Sequence, residues 1–507
     1  MNKSLWRWLL GGLLAVVLLV RFPLTLSAQP AKTGSGPTGD PVTGLIQWQK
    51  DGVPLVTAYG NQRQPQIVTD GAGGALAVWE DYRPYYDPFA PADLYAQRVS
   101  TDGQTLWQQD GILVAQPGNQ TDPRLISDGQ GGAIVAWRDD HAGQIYVQRI
   151  ASDGTLLWAA DGVQLSSNQG YHTAHVITSD HAGGAIVAWN DYDESQVVSP
   201  IVYMQHIRAD GTLAWTIGGI TVTSAWHGQF YPQIASDGAG GAILAWAGDC
   251  ARWSGLCVQR VLSDGSLAWG NEGAILSVSS EPLYHQSQLL ADGAGGATVV
   301  WVDIRNLNDD LYAQKVTSDG TAVWAGGGVP VIVADGDQQL PRIASDGHGG
   351  IIVAWHDTRR ATLNVDLQRL DANGRALWNP AGVTIATQRI QTTFDGECHY
   401  DLIADGAGGA MVSWQENVSA VNKVGNGIWL QRLSAEGVPI WSGRGALVQV
   451  DWLNNELSTP RILSESVGDV IVVWQDNRHG YKNDNFDIYA QRVIEGSYRY
   501  YFPNIAR

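Results

Sequence analysis

The sequence predicts an all-β chain: a single eight-bladed β-propeller of four-stranded antiparallel blades, closed by an N-terminal strand that completes the last blade. Three observations carry this. A unit of about 56 residues recurs eight times, each unit holds four short strand-like runs divided by glycine-rich turns, and one unit is split between the two chain ends. Repetition overrides the several separate domains that 507 residues would otherwise suggest.

Taken in order, the chain opens on Lys3 and Arg7, followed by an uncharged apolar run over residues 9–20. That run falls short of the roughly 20 apolar residues a membrane span needs. Residues 1–28 therefore read as a signal peptide, with Leu26-Ser27-Ala28 as a cleavage site, or as an uncleaved N-terminal anchor, since Leu26 fits a small-x-small site poorly. Residues 29–44 (QPAKTGSGPTGDPVTG) read as a flexible linker. The protein is expected to be exported, secreted or held at the cell surface, with no membrane contact beyond this segment.

The repeat occupies residues 45–496, and residues 497–507 form a C-terminal tail. One tryptophan column is Trp79, Trp137, Trp189, Trp246, Trp301, Trp355, Trp414 and Trp474. A glutamine column follows, from Gln97 and Gln148 to Gln491, with Arg after it in six copies. Nine or ten residues later comes a second tryptophan column: Trp107, Trp158, Trp215, Trp269, Trp324, Trp378 and Trp441. Its eighth member is Trp48, near the N-terminus, while the eighth unit stops after YAQRVIEGSY. The fragments complement each other, so the N-terminal piece is expected as the outermost strand of blade eight, beside the strand holding Gln491. Closure of this kind removes a free sheet edge.

Within the first copy the strands are expected over 65–70, 74–81, 93–100 and 106–115. Residues 94–99 (LYAQRV) alternate with period two. Pairs such as Asp70-Gly71 and Asp102-Gly103 supply the positive φ that hairpin turns demand. Four such strands cannot bury both faces alone, so the units must stack, which points to blades and not to solenoid rungs. The tryptophans are expected between blades, each placing its N–H on a neighbouring carbonyl, and the glutamines on backbone groups between strands.

The repeats D-G-x-G-G-A-I-V-A-W-x-D and Y-A-Q-R-V-x-x-D-G-x-x-x-W resemble a family of secreted bacterial propeller-type repeat proteins, over about residues 44–496. The Ser152-Asp153-Gly154 to Trp158 turn also resembles the Asp-box of sialidases and the tryptophan-docking turns of eight-bladed quinoprotein dehydrogenases. It has Gly directly after Asp, which departs from the Asp-box, and nothing matches a quinone site. The resemblance implies a structural turn, remote from any catalytic centre. The aromatic tail YRYYFPNIAR resembles short tails that end some bacterial surface proteins.

Recurring residues are thus scaffold, and function is expected where the units differ. A net charge of −19, or −22 without residues 1–28, repels phosphate backbones and argues against nucleic acid. Cys250 and Cys257 flank CARWSGLC and can bridge a hairpin, which leaves Cys398 over. Each Asp-Gly-x-Gly-Gly turn offers one carboxylate, too few for calcium, and no metal or cofactor is expected. His172 and His175 are spaced H-x-x-H without a third ligand and read as solvent-facing loop residues. The loops between strands two and three are unequal, and with the inter-blade loops they crowd one face. Four carry Asp-x-Arg: Asp81/Arg83, Asp303/Arg305, Asp357/Arg359 and Asp476/Arg478. Two readings remain open for them, a loop-pinning ion pair or, with Tyr85 and Trp253, a polar and aromatic ring gripping a glycan or peptide. No nucleophile motif, arginine triad or zinc motif is assignable. The leading expectation is a monomeric, non-catalytic binding or interaction propeller for an extracellular glycan or protein. The alternative is a carbohydrate-active hydrolase or lyase with its site near the axis.

Overall fold

A computed structural model describes residues 42–497 apart from 84–90, 116–117, 142, 167–169, 193–199, 224–227, 251–252, 279–285, 361–363, 387–399, 421–422, 442, 452–456 and 480–484. Tyr85, Cys398, the N-terminal segment and the tail lie outside the described residues. So do the side chains of Trp253 and a few neighbours within strands.

Eight antiparallel sheets follow one another along the chain. In blade 1 the strands are Gln62–Thr69, Ala75–Asp81, Asp93–Val99 and Ile112–Leu113, paired in that order. First strands of neighbouring blades touch all the way round, blade 8 back to blade 1, so they line the axis of a closed ring. Blade 8 comprises Leu457–Ser466, Asp469–Asp476 and Asp487–Ser497. Its outer edge is completed by Val42–Ile46 and Val53–Val56, both antiparallel to Asp487–Ser497. The ring is an eight-bladed β-propeller closed through its N-terminus, as the split repeat predicts.

The second strands are buried over most of their length, Ala75–Asp81 throughout, because both faces meet a neighbouring blade. That is why these runs read ALAVW or AIVAW without polar alternation. The core is a set of inter-blade clusters; the one joining blade 8 to blade 1 contains Trp48, Leu55, Val56, Trp79, Val473 and Ile488.

Both tryptophan columns are structural, by different bonds. In the outer column the indole N–H of every member but Trp441 reaches the next blade: Trp48 Nε1 donates to Thr101 O at 2.8 Å, Trp107 to Ser152 O at 3.2 Å and Trp378 to Ala435 O at 2.8 Å. The ring lies on the Asp-Gly turn of that blade, where a Cβ on Gly103 would stand 2.7 Å from the Trp48 ring. The inner column departs from the expected neighbouring carbonyl. Trp79, Trp301, Trp355 and Trp474 donate to the carboxylate two residues on, in the same strand, at 2.9–3.0 Å. The glutamines tie strand three to the following turn. Gln97 Oε1 accepts from Trp107 N and Arg98 N, while its Nε2 donates to Gln108 O. The arginine that follows pairs with the turn aspartate and reaches into the next blade: Arg98 binds Asp70 and Ser152 O, and Arg492 binds Asp469 and Thr101 O. Asp70 also accepts from Ala72 N and Gly74 N, so its carboxylate builds the turn.

Two expected boundaries shift. First strands begin earlier than predicted, at Gln62 in blade 1, and contain a bulge between Arg63 and Gln66. Fourth strands are shorter, because residues 106–111 form the turn that carries Trp107.

Candidate ligand-binding face

One face of the ring carries the loops between strands two and three and those between blades. The Asp-x-Arg pairs sit at the ends of second strands there, and each is brought together within its own blade. Asp81 is fully buried; it accepts from Trp79 Nε1 and Arg83 N and forms an ion pair with Arg83. Arg83 also donates to Asp110 O at 2.9 Å and lies 3.9 Å over the Tyr95 ring. Asp303/Arg305 repeats this with Gly327 O and Tyr312, and Asp476/Arg478 with Tyr489. In blade 6 Asp366 stands in the tyrosine position, and Arg359 pairs with both Asp357 and Asp366 at 2.7 Å. These guanidiniums are directed to strand three and the start of strand four, away from the axis.

Blade 4 occupies the same two positions with cysteine. Cys250 stands four residues after Trp246, as Arg83 does after Trp79, and Cys257 lies opposite Trp246, as Tyr95 lies opposite Trp79. The two are joined as a disulfide, with Cα atoms 5.8 Å apart. Five blades therefore brace the end of strand two against strand three: three by Arg on Tyr, one by Arg on Asp, one by a disulfide.

Nearer the axis, first strands carry a feature the sequence reading missed. The bulge residue in six blades has positive φ: Gln64, Asp122, Ala174, Tyr231, Leu340 and Thr459, at 48–56°. In five of them proline follows, and a residue before proline disfavours the right-handed helical region. At three seams the bulge N–H is donated to the side chain just after the inner tryptophan of the preceding blade. Gln475 accepts from Gln64 N, Glu80 from Asp122 N and Asn190 from Tyr231 N. A buried glutamine two residues before the bulge adds a second link; Gln120 Oε1 accepts from Leu94 N and Gln229 Oε1 from Val202 N. The signal for this column was present as Gln62, Gln120, Gln229 and Gln338, at one offset from the following Trp-x-Asp or its equivalent.

His172 and His175 correct the loop expectation. Both lie in the first strand of blade 3, Tyr171–Ser179, 0 % and 1 % exposed. His172 occupies the glutamine position; its Nδ1–H donates to Gly143 O at 2.7 Å and its Nε2 stands 3.4 Å from Asp191. His175 occupies the proline position, with Nδ1 3.7 Å from the Asp122 carboxylate of blade 2 and the Ala136 backbone beside it. Burial pushes its pKa down to about 4.

Other titratable groups on this face are also displaced by burial. The Glu80 carboxyl is raised, and the Tyr82 hydroxyl that donates to it at 2.9 Å is raised as well, with Arg63 5.8 Å from the Tyr82 ring. Asp487 is pushed up to about 6 by burial, while the His479 ring 2.8 Å away opposes the shift. Among the described residues no three His, Cys, Asp or Glu side chains gather in a metal-holding group.

No family model matches the chain, and no curated protein does either. Among solved structures it is similar to puromycin hydrolase (15 % identity, TM-score 0.46), covering 85 % of this chain and 60 % of that one. It is similar also to prolyl oligopeptidase B from Galerina marginata (11 %, 0.45), covering 84 % and 56 %. A third is the polysaccharide lyase Uly1 (8 %, 0.41), covering 90 % and 98 %. The chain thus spans less than two thirds of the hydrolase and of the peptidase. These likenesses concern the propeller alone.

Proposed function

We propose that this protein is a non-catalytic propeller that works outside the cytoplasm, secreted or at the cell surface, and takes an extracellular glycan or protein on its loop-bearing face. The observation that supports this is the engagement of the face's charged groups. The eight Asp and Arg residues of the four Asp-x-Arg pairs are tied into braces that fix the loop ends, which suits a rigid frame for recognition more than proton transfer. Aromatic and polar side chains stay accessible at the axial rim, including Tyr171 at 44 % and Tyr231 at 47 % exposure. A rigid, mixed aromatic and polar concavity is what ligand recognition uses. The test is binding of the purified chain to glycan and protein arrays, with product analysis on every ligand found. Saturable binding without turnover is expected.

One observation favours a carbohydrate-active hydrolase or lyase instead. Asp487, raised to about 6 beside His479, would be poised for proton transfer near neutral pH. Turnover of any bound polysaccharide that is abolished by Asp487→Asn, with the melting temperature retained, would establish this reading and overturn the first.

A further inference from the structure

Departures from the repeat occur at several seams of the loop-bearing face, among them Ala247, Ser287, Tyr400 and Leu457. Four fall at the seam between blades 2 and 3, at positions that elsewhere serve the scaffold. The residue after the inner tryptophan is Glu80, Asn190, Ala247, Val302, His356, Gln415 or Gln475 in seven blades and Arg138 in blade 2. At three seams this side chain accepts the next blade's bulge N–H. Arginine has donors and no acceptor, so Arg138 gives up that link, as Ala247 and Val302 do, but puts a charged group in its place. His172 replaces the glutamine that caps the preceding blade's third strand, and His175 replaces proline. The fourth departure is Tyr171, where blades 1 and 2 carry Asn61 and Asn119.

Arg138 is not turned outward like the bracing arginines. It pairs with Asp140, its Nη2 stands 3.4 Å from Thr121 Oγ1, and its Cζ lies 5.6 Å over the Tyr171 ring of blade 3. Thr121 in turn donates to Asp140 at 3.0 Å. Asp122, one residue on, pairs with Arg124 at 2.8 Å and is one third exposed. The Tyr171 ring, 44 % exposed, is thus flanked by carboxylates, a guanidinium and a hydroxyl, with two buried histidines in the same strand. His175 has no hydrogen bond at either ring nitrogen among the described residues, and His172 has none at Nε2.

Resting on the proposed function, we infer that the seam between blades 2 and 3 is a binding site for a neutral saccharide. A sugar ring has an apolar C–H face, which stacks on an aromatic ring, and edge hydroxyls, which donate to carboxylates and accept from a guanidinium. The charged groups there, Arg124 and Arg138 against Asp122, Asp140 and Asp191, sum to one net negative charge. Uronates and sialic acids are therefore disfavoured against neutral sugars, and the net charge of −19 acts in the same direction.

The experiment titrates the full-length protein, by calorimetry, with a panel of neutral oligosaccharides and their uronate-containing counterparts. Tyr171→Ala and Arg138→Gln are each expected to weaken neutral-sugar binding about tenfold or more. Tyr171→Trp retains it, and Arg305→Gln, in the blade 5 brace, leaves it unchanged. Melting temperatures of the two rim variants should stay near that of the parent, which separates lost recognition from lost folding. Neutral-sugar binding undiminished in both variants would overturn the assignment, as would a preference for uronates. Capture of a protein ligand but no sugar would refute this inference and leave the proposed function standing. Absence of any ligand on arrays would sink both.

Discussion

The closure of the ring can be tested by cutting away its N-terminal share. Residues 42–58 contribute two strands paired to Asp487–Ser497 and three buried side chains: Trp48 at 9 %, Leu55 at 2 % and Val56 at 1 % exposure. At about 1.5–3 kcal/mol for each large apolar side chain, burial alone is worth roughly 5–9 kcal/mol. Folded domains are stable by only about 5–15 kcal/mol. The deletion should therefore unfold blade 8 or the whole ring, whereas Trp48→Ala alone should cost about 3–5 kcal/mol. Denaturant unfolding measures the loss, and hydrogen exchange locates it. Trp378→Ala is the matched control, since its indole is as deeply buried, at 6 % exposure, and makes the same bond, to Ala435 O at 2.8 Å, in mid-chain. Both single variants should lose similar stability, but only Trp48→Ala should expose the amides of Asp487–Ser497. An unchanged unfolding midpoint in the deletion, or full protection of Asp487–Ser497 in Trp48→Ala, would refute the account of closure.

Further outcomes follow from other parts of the ring. Gly103 and Gly71 both have positive φ, yet a Cβ on Gly103 strikes the Trp48 ring while Gly71 faces open space. Gly71→Ala should cost about 1 kcal/mol and Gly103→Ala clearly more, read as shifts in denaturant midpoint. Replacing Cys250 and Cys257 by serine should cost about 2–4 kcal/mol, and reductant should then have no further effect; equal melting of parent and variant would contradict a bracing role. The raised Asp487 carboxyl favours the folded state while protonated, a contribution present below its ordinary value near 4 and lost as pH rises to about 6. His175 acts oppositely. Its imidazole is lowered to about 4, so its contribution is present above its ordinary value near 6.5 and lost as pH falls toward 4. Stability measured from pH 4 to 6.5 should fall more steeply with rising pH in His175→Gln, and rise more steeply in Asp487→Asn, than in the parent.

Much of the architecture is legible in the chain because propeller blades repeat their contacts. Trp48 could be matched to a missing eighth partner, and that one correspondence predicts the topology of the closing sheet. Cys250 and Cys257 were legible as a hairpin bridge from their spacing. That they stand in for an arginine and a tyrosine is visible only once Trp246 is aligned with Trp79. The bulge at Gln64 was hidden, since positive φ ahead of proline runs against local preference and is held by the neighbouring blade. The same bulge misled the reading of His172 and His175. It breaks the period-two alternation, so their spacing does not show which way either ring faces, and the residues around His175, such as Asp122 and Ala136, come from blade 2, in the preceding repeat. The polar seam joins Thr121, Arg138 and Tyr171 across two units, and no motif of contiguous residues could have marked it.

Because the eighth sheet is assembled from both ends of the described chain, blades 8 and 1 join as mid-chain blades do, with the Trp48 indole on Thr101 O. The Trp441 indole, at the join of blades 7 and 8, is instead buried without a hydrogen-bond partner among the described residues. The cut falls within a blade, ahead of its outermost strand. A gene rearranged to start at the corresponding point of any other blade would encode the same set of contacts in rotated order. The chain is in that sense a loop of similar segments, with the same indole-to-carbonyl fastening at seven of its eight joins.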